Sequence, residues 1–185
     1  TRELDTSNAL LRERIEEQHR SDLERRRLIA ILDSTTDLVA TANPNGQVLF
    51  LNAAGHYLLG LDSHQRLQGL RMADAHPAWA WRIVEQEGIP TAVRDGVWRG
   101  QTAIRDRSGF EIPVSQVIMA HRDATGRLEY ISTIMRDISE RRRAEEALHT
   151  WMRRYDFLVE ASGQVVYEYL IASQEIIWGN SLEKV

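Results

Sequence analysis

The sequence predicts an α+β domain, an antiparallel sheet held between two long helices. Three observations carry that reading. Residues Arg2 to Asp33 are dense in charge and contain neither Gly nor Pro, as a long solvated helix requires. Five β-rich runs between Leu38 and Arg136 are separated by turn-forming sequences. Beyond them Ala144, Leu148, Trp151, Tyr155 and Leu158 recur at alternating spacings of four and three, the seam of a second long helix.

In the first helix, Leu4, Leu11 and Leu32 fall at heptad position d and Ile15 and Ile29 at a. The same register puts Gln18, Asp22 and Arg25 in the seam, so a coiled coil here is weak in its middle. After Asp33-Ser34-Thr35-Thr36 the period changes to that of strands. Leu38–Ala42 and Gln47–Leu51 flank Asn43-Pro44-Asn45-Gly46, which predicts a hairpin. Asn52 then caps a short helix, Ala53–Leu59, that Gly60 ends. Short helical turns are expected over Ser63–Ala75. A helix follows Pro77, with Trp79 and Ile83, and beside them Ala80 and Val84, at helical spacing, and Gly88 and Pro90 are expected to stop it.

Trp98–Arg105, Glu111–His121 and Leu128–Arg136 read as three strands. Their connections, Asp106-Arg107-Ser108-Gly109 and Asp123-Ala124-Thr125-Gly126, are short enough to make the strands antiparallel neighbours. Ile138 closes the last strand, and Asp137 with Glu140 gives the spacing of a capping box for the outgoing helix. Val165–Tyr169 and Glu175–Trp178, followed by Asn180, then repeat the first hairpin, with Val165 in the place of Leu38 and Asn180 in that of Asn52. A repeat this long suits tandem domains joined by a helix. The boundaries that follow are 1–33 for the N-terminal helix, 34–138 for the domain, 139–160 for the linker helix and 161–185 for the start of a second domain. Without an initial Met, and stopping just after a strand pattern, the sequence reads as a piece of a longer chain.

Composition removes several function classes. Lys and Arg number 23 against 27 Asp and Glu, a formal charge of −4, so the electrostatic footprint of a nucleic-acid binder is missing. With no cysteine there is no disulfide, thiolate nucleophile, thiolate metal site or flavin–cysteinyl chemistry. No apolar run approaches the ~20 residues that span a bilayer, and Thr1 does not open a signal peptide. A cytoplasmic fragment without membrane contact is expected.

Several local sequences, in order, resemble those of the PAS sensory domain. They are Leu32-Asp33-Ser34, Asn45-Gly46 followed by Asn52-Ala53-Ala54 and Leu59-Gly60, Trp98-Arg99-Gly100, Gly109-Phe110-Glu111-Ile112-Pro113-Val114, and Asp137-Ile138-Ser139-Glu140-Arg141-Arg142-Arg143-Ala144-Glu145. The last is similar to the Asp-Ile-Thr junction by which a PAS sheet leads into its effector helix, with Ser139 in place of Thr. The resemblance covers about Leu32–Ile138 and recurs in Tyr155–Val185. It implies a PAS-like five-stranded antiparallel sheet with helices on one face, flanked by long N- and C-terminal helices. It also implies a sensory, regulatory and dimerisation module of a histidine kinase or cyclic-di-GMP enzyme. Such a module forms a homodimer through its flanking helices, has its output domain in the same chain, and makes Asp137 and Ser139 the signal-transfer junction. The alternative is a ligand-free PAS domain serving only as spacer and dimer contact.

No catalytic set is visible, because Gly88, Gly96 and Gly100 do not form a phosphate loop and no nucleophile, base and oxyanion donor converge. His19 and His149 read as solvated helix residues. Surface or capping roles are expected for His56, His64, His76 and His121, whose spacing suits no metal. Haem-binding members of the family carry their ligand on the helix facing the sheet, which falls near Trp79–Trp81, where no histidine stands, so haem is disfavoured. Flavin, or another small molecule, stays open. On Phe110–Ala120 one parity reads Phe110, Ile112, Val114, Gln116, Ile118, so Gln116 is the single polar residue on an apolar face. Gln116, Ile118, Thr133, Met135, Trp79 and Ile83 are therefore the candidate ligand-pocket residues, with a Gln satisfied inside the sheet as the competing account.

Overall fold

The structure, a computed structural model, describes residues 2–62, 67–162 and 167–178. The elements run α1 (Arg2–Asp33), β1 (Leu38–Ala42), β2 (Val48–Leu51), α2 (Ala53–Leu58), a 3-10 turn (Met72–Ala75), α3 (Ala78–Ile83), a π turn (Val84–Gly88) and α4 (Ile89–Asp95). Three longer strands follow, β3 (Val97–Arg105), β4 (Glu111–Arg122) and β5 (Leu128–Asp137), then α5 (Ser139–Ser162), β6 (Tyr167–Leu170) and β7 (Glu175–Trp178). Residues 1–138 and 139–185 form two compact units.

In the first unit the sheet has the order β2-β1-β5-β4-β3 with every pair antiparallel. The order follows from the connections. Two tight turns join β3, β4 and β5, and the return of β5 to β1 places the first hairpin at the far edge. Each turn is held by its aspartate. The Asp106 carboxylate accepts from the Ser108 hydroxyl at 2.6 Å and the Phe110 amide at 2.8 Å, and Asp123 likewise accepts from Thr125 and Arg127. Those bonds, the hydroxyl bond foremost, hold both carboxyls below the usual carboxylate range.

Asn52 organises the other end. Its side chain is fully buried, accepts from the Val39 and Gly55 amides and donates to the Leu32 and Asp37 carbonyls, all within 3.0 Å. The expected helix cap is thus also a clasp joining α1, β1 and α2. Asp33 adds to it by accepting from the Ala53 amide at 2.9 Å. Upstream, Ile15, Leu23, Leu28 and Ile31 of α1 are exposed, and Ile29 and Leu32 are half-buried. The side chains of Leu4 and Leu11 lie outside the described residues.

The helical segment after Pro77 corrects an expectation. Gly88 and Pro90 do not stop it: the chain continues as α4 to Asp95. The Val84–Gly88 π turn is the reason, since the Ile89 amide reaches back to the Val84 carbonyl and the widened turn lets Pro90, which has no amide hydrogen, enter at the start of α4. Gly88 marks a close approach to the sheet, where a Cβ would lie 3.0 Å from Ile118 Cδ1. The true stop is Gly96, at φ 90°.

In the second unit α5 runs from Ser139 to Ser162, and Leu148, Trp151, Tyr155 and Leu158 are exposed along it. β6 and β7 pair as an antiparallel hairpin. Val165 and Asn180, which anchor the sequence repeat, lie outside the described residues, as does His64.

Candidate functional site

Two of the three apolar clusters among the described residues are the larger ones, the third being Ala42, Val48 and Met72. Leu38, Leu51, Leu59, Ile104, Val114 and Met135 make one. Val84, Ala92, Trp98, Ile118 and Ile131 make the other, with Ile83 packed against it. Between the first cluster and the Met72–Ala75 turn lies a cavity of about 30 Å³, whose walls include Leu51, Met72, His76, Ile104, Thr133 and Met135.

A buried polar chain crosses the sheet beside it. The Thr102 hydroxyl on β3 donates to Gln116 Oε1 at 2.6 Å, Gln116 Nε2 donates to the Thr133 hydroxyl at 3.3 Å, and that hydroxyl donates to the Val117 carbonyl at 2.9 Å. Alternation explains why these residues meet. Thr102, Gln116 and Thr133 all lie on the inner parity of adjacent strands. Gln116 is fully buried and is satisfied within the sheet.

His76 is the group that sequence reasoning missed. A surface or capping role was expected; His76 does cap the Met72–Ala75 turn, but from a buried position, only 3% exposed. Its Nδ1 lies 2.8 Å from the Met72 carbonyl, which closes the 3-10 turn and swings the ring over the sheet. Nε2 is buried without a hydrogen-bond partner among the described residues. Burial pushes the imidazole below its ordinary pKa, while the Met72 carbonyl and then the neighbouring Gln116 side chain oppose the shift without cancelling it. The signal available beforehand was the four-residue spacing from Met72 to His76 ahead of Pro77, which lets a ring reach back to a turn carbonyl.

The candidate pocket residues therefore divide. Thr133 and Met135 line the cavity, and Gln116 binds Thr133. Ile118 and Ile83 belong with the second cluster instead. Trp79 does not face a pocket: its ring is half exposed and its Nε1 donates to Glu111 at 3.0 Å, because Ala80 and Val84 form the inward ridge of this helical segment. His56 lies against the Asn52 carbonyl at 3.1 Å, and His121 stacks on Tyr130 with centroids 4.3 Å apart. No group of three or more metal-ligating side chains occurs among the described residues.

Flavin and haem can be tested against this geometry. Sites for such molecules need about 300–1,000 Å³, and a cavity of about 30 Å³ does not hold either. At the exit, Asp137 is the last residue of β5, paired opposite Val114, and Ser139 is the first of α5. Between them the Ile138 amide donates to the Pro113 carbonyl at 3.0 Å. No helix among the described residues is long and apolar enough to cross a membrane.

The family described as PAS fold matches residues 32–143. Among solved structures, a PAS domain from Colwellia psychrerythraea superposes with a TM-score of 0.57 at 18% identity, covering 64% of this chain and 98% of that one. The PAS domain of an HTR-like protein from Haloarcula marismortui gives 0.56 at 17% identity, covering 66% and 98%. A sensory box histidine kinase/response regulator from Burkholderia thailandensis gives 0.55 at 14% identity, covering 70% and 98%. At these identities the likeness establishes the fold. No curated protein matches the chain.

Proposed function

Since the chain belongs to the PAS fold family, which it matches over residues 32–143, we propose that it is a non-catalytic sensory and regulatory module of a signalling protein. The observation that carries this reading is the course of β5. Thr133 and Met135 form part of the cavity wall, and the same strand ends at Asp137, two residues before α5 begins. A change in the cavity displaces a strand that continues directly into a helix. A helix responds by moving between discrete packings rather than by deforming, so the output is a switch.

We assign residues 34–138 to the sensor, 139–160 to the linker and 161–185 to the opening of a second such domain. The exposed Leu148, Trp151, Tyr155 and Leu158 on α5 support pairing with a second copy through the flanking helices. The output domain belongs to the same chain, as a histidine kinase or a cyclic-di-GMP enzyme, and the setting is cytoplasmic. Replacing Asp137 or Ser139 by Ala in the protein that contains this segment tests the relay. Output should lose its dependence on the input signal while the domain stays folded. Output that remains fully regulated in both variants contradicts it.

The small cavity supports a second reading, a ligand-free domain that serves as spacer and dimer contact. A native mass spectrum separates the two: a bound small molecule rejects the spacer, and a bare dimer favours it.

A further inference from the structure

The His76 ring is held in one tautomer. Nδ1 faces a carbonyl oxygen at 2.8 Å, and since a carbonyl only accepts, Nδ1 carries the proton and Nε2 of the neutral ring presents a bare lone pair. Among the described residues, Nε2 is the buried side-chain nitrogen or oxygen left without a partner. Its neighbours Gln116 and Thr133 are bonded in the chain from Thr102 to the Val117 carbonyl, which uses one of the two Gln116 amide hydrogens, and neither residue makes a direct bond to Nε2.

The cavity that His76 lines has walls of Leu51, Met72, Ile104 and Met135, with the Thr133 hydroxyl turned to the Val117 carbonyl. Among the described residues no charged side chain lines it, so an ion would enter without a counter-charge from them. A buried water needs two to four polar partners, and here one acceptor stands open. A volume of about 30 Å³ fits about two to three non-hydrogen atoms, because one water-sized molecule needs roughly 10–15 Å³ by this measure.

We propose that this cavity binds a small neutral molecule, apolar in body, with one O–H or N–H group that donates to His76 Nε2. The assignment deepens the sensory reading by naming the class of its ligand. It is tested on binding alone, so its failure leaves the Asp137–Ser139 relay to stand or fall on output measurements.

The probe pair is ethanol and its isomer dimethyl ether, equal in atoms but with and without a donor. The 185-residue chain, labelled with ¹⁵N-histidine, is titrated with each. Ethanol should shift the His76 Nε2 resonance saturably, with at least ten-fold tighter binding than the ether. His76→Phe should abolish that preference. Equal affinity for the two isomers, or no saturable shift at His76 from either, overturns the proposal. The isomer comparison uses the unmodified chain, so it decides the matter even if His76→Phe does not fold.

Discussion

Gln116 on β4 donates from Nε2 to the Thr133 hydroxyl on β5, 3.3 Å away, and accepts at Oε1 from Thr102 on β3 at 2.6 Å, with all three side chains buried. One carboxamide thus ties three strands at the level of the cavity. Gln116→Leu keeps much of the volume but strips Thr102 of its acceptor, which should cost about 1–3 kcal/mol in urea unfolding. Adding Thr102→Val should recover part of that loss, because the stranded hydroxyl is then gone. A strictly additive double variant would show that the two groups are not coupled.

Asn52 makes four hydrogen bonds from a fully buried position. Asn52→Ala should destabilise the domain by about 3 kcal/mol, more than the ~1 kcal/mol typical of a lost helix cap, since two half-buried carbonyls also lose their donor. Asn52→Asp keeps the acceptor but turns an anion toward the Leu32 and Asp37 carbonyls. It should be at least as damaging at neutral pH and should partly recover in acid. Denaturation midpoints of the two variants at two pH values check this.

Gly100 lies opposite Gln116 in the β3–β4 ladder, and a Cβ added there would run into the Trp98 ring. Gly100→Ala should displace that ring and cost roughly 1–3 kcal/mol, the range of overpacked cores. Gly46→Ala serves as a contrast. Nothing lies near its Cβ, and its penalty comes from φ 81° alone. Trp98 fluorescence should change in the first variant and not in the second.

His76 makes stability depend on pH. In the unfolded chain it titrates near its ordinary value of 6.5, and in the folded chain lower, because burial disfavours the cation. Just below that ordinary value the unfolded state binds more protons. Stability is therefore full above about pH 6.5, falls as pH drops through the folded-state pKa and then levels off. The dependence of unfolding free energy on pH between about 5 and 7 should be steeper in the unmodified chain than in His76→Phe. Parallel curves would show that the ring titrates alike folded and unfolded.

Much of this architecture is written in local pattern. The turn aspartates and glycines at 106–109 and 123–126, the Asn52 cap and the inward parity of Gln116 all stand as the residues predict. Each depends on neighbours close in sequence or on strict alternation. What was illegible depends on tertiary packing. Pro90 looks like a stop because a π turn leaves no composition signature. Trp79 looks like a pocket wall because, on a helix only six residues long, two adjacent ridges fit the spacing equally well. His76 looks superficial because only the folded 3-10 turn carries its ring over the sheet.

The central claim is that the cavity speaks to α5 through β5. Amide hydrogen exchange tests it most directly, comparing the unmodified chain with Ala75→Val, which fills part of the cavity from the side opposite β5. Exchange should be altered along β5 from Thr133 to Asp137, and the change should continue into the first turn of α5, residues 139–142. Exchange altered only around Met72–His76, with the end of β5 and the start of α5 unchanged, would contradict it.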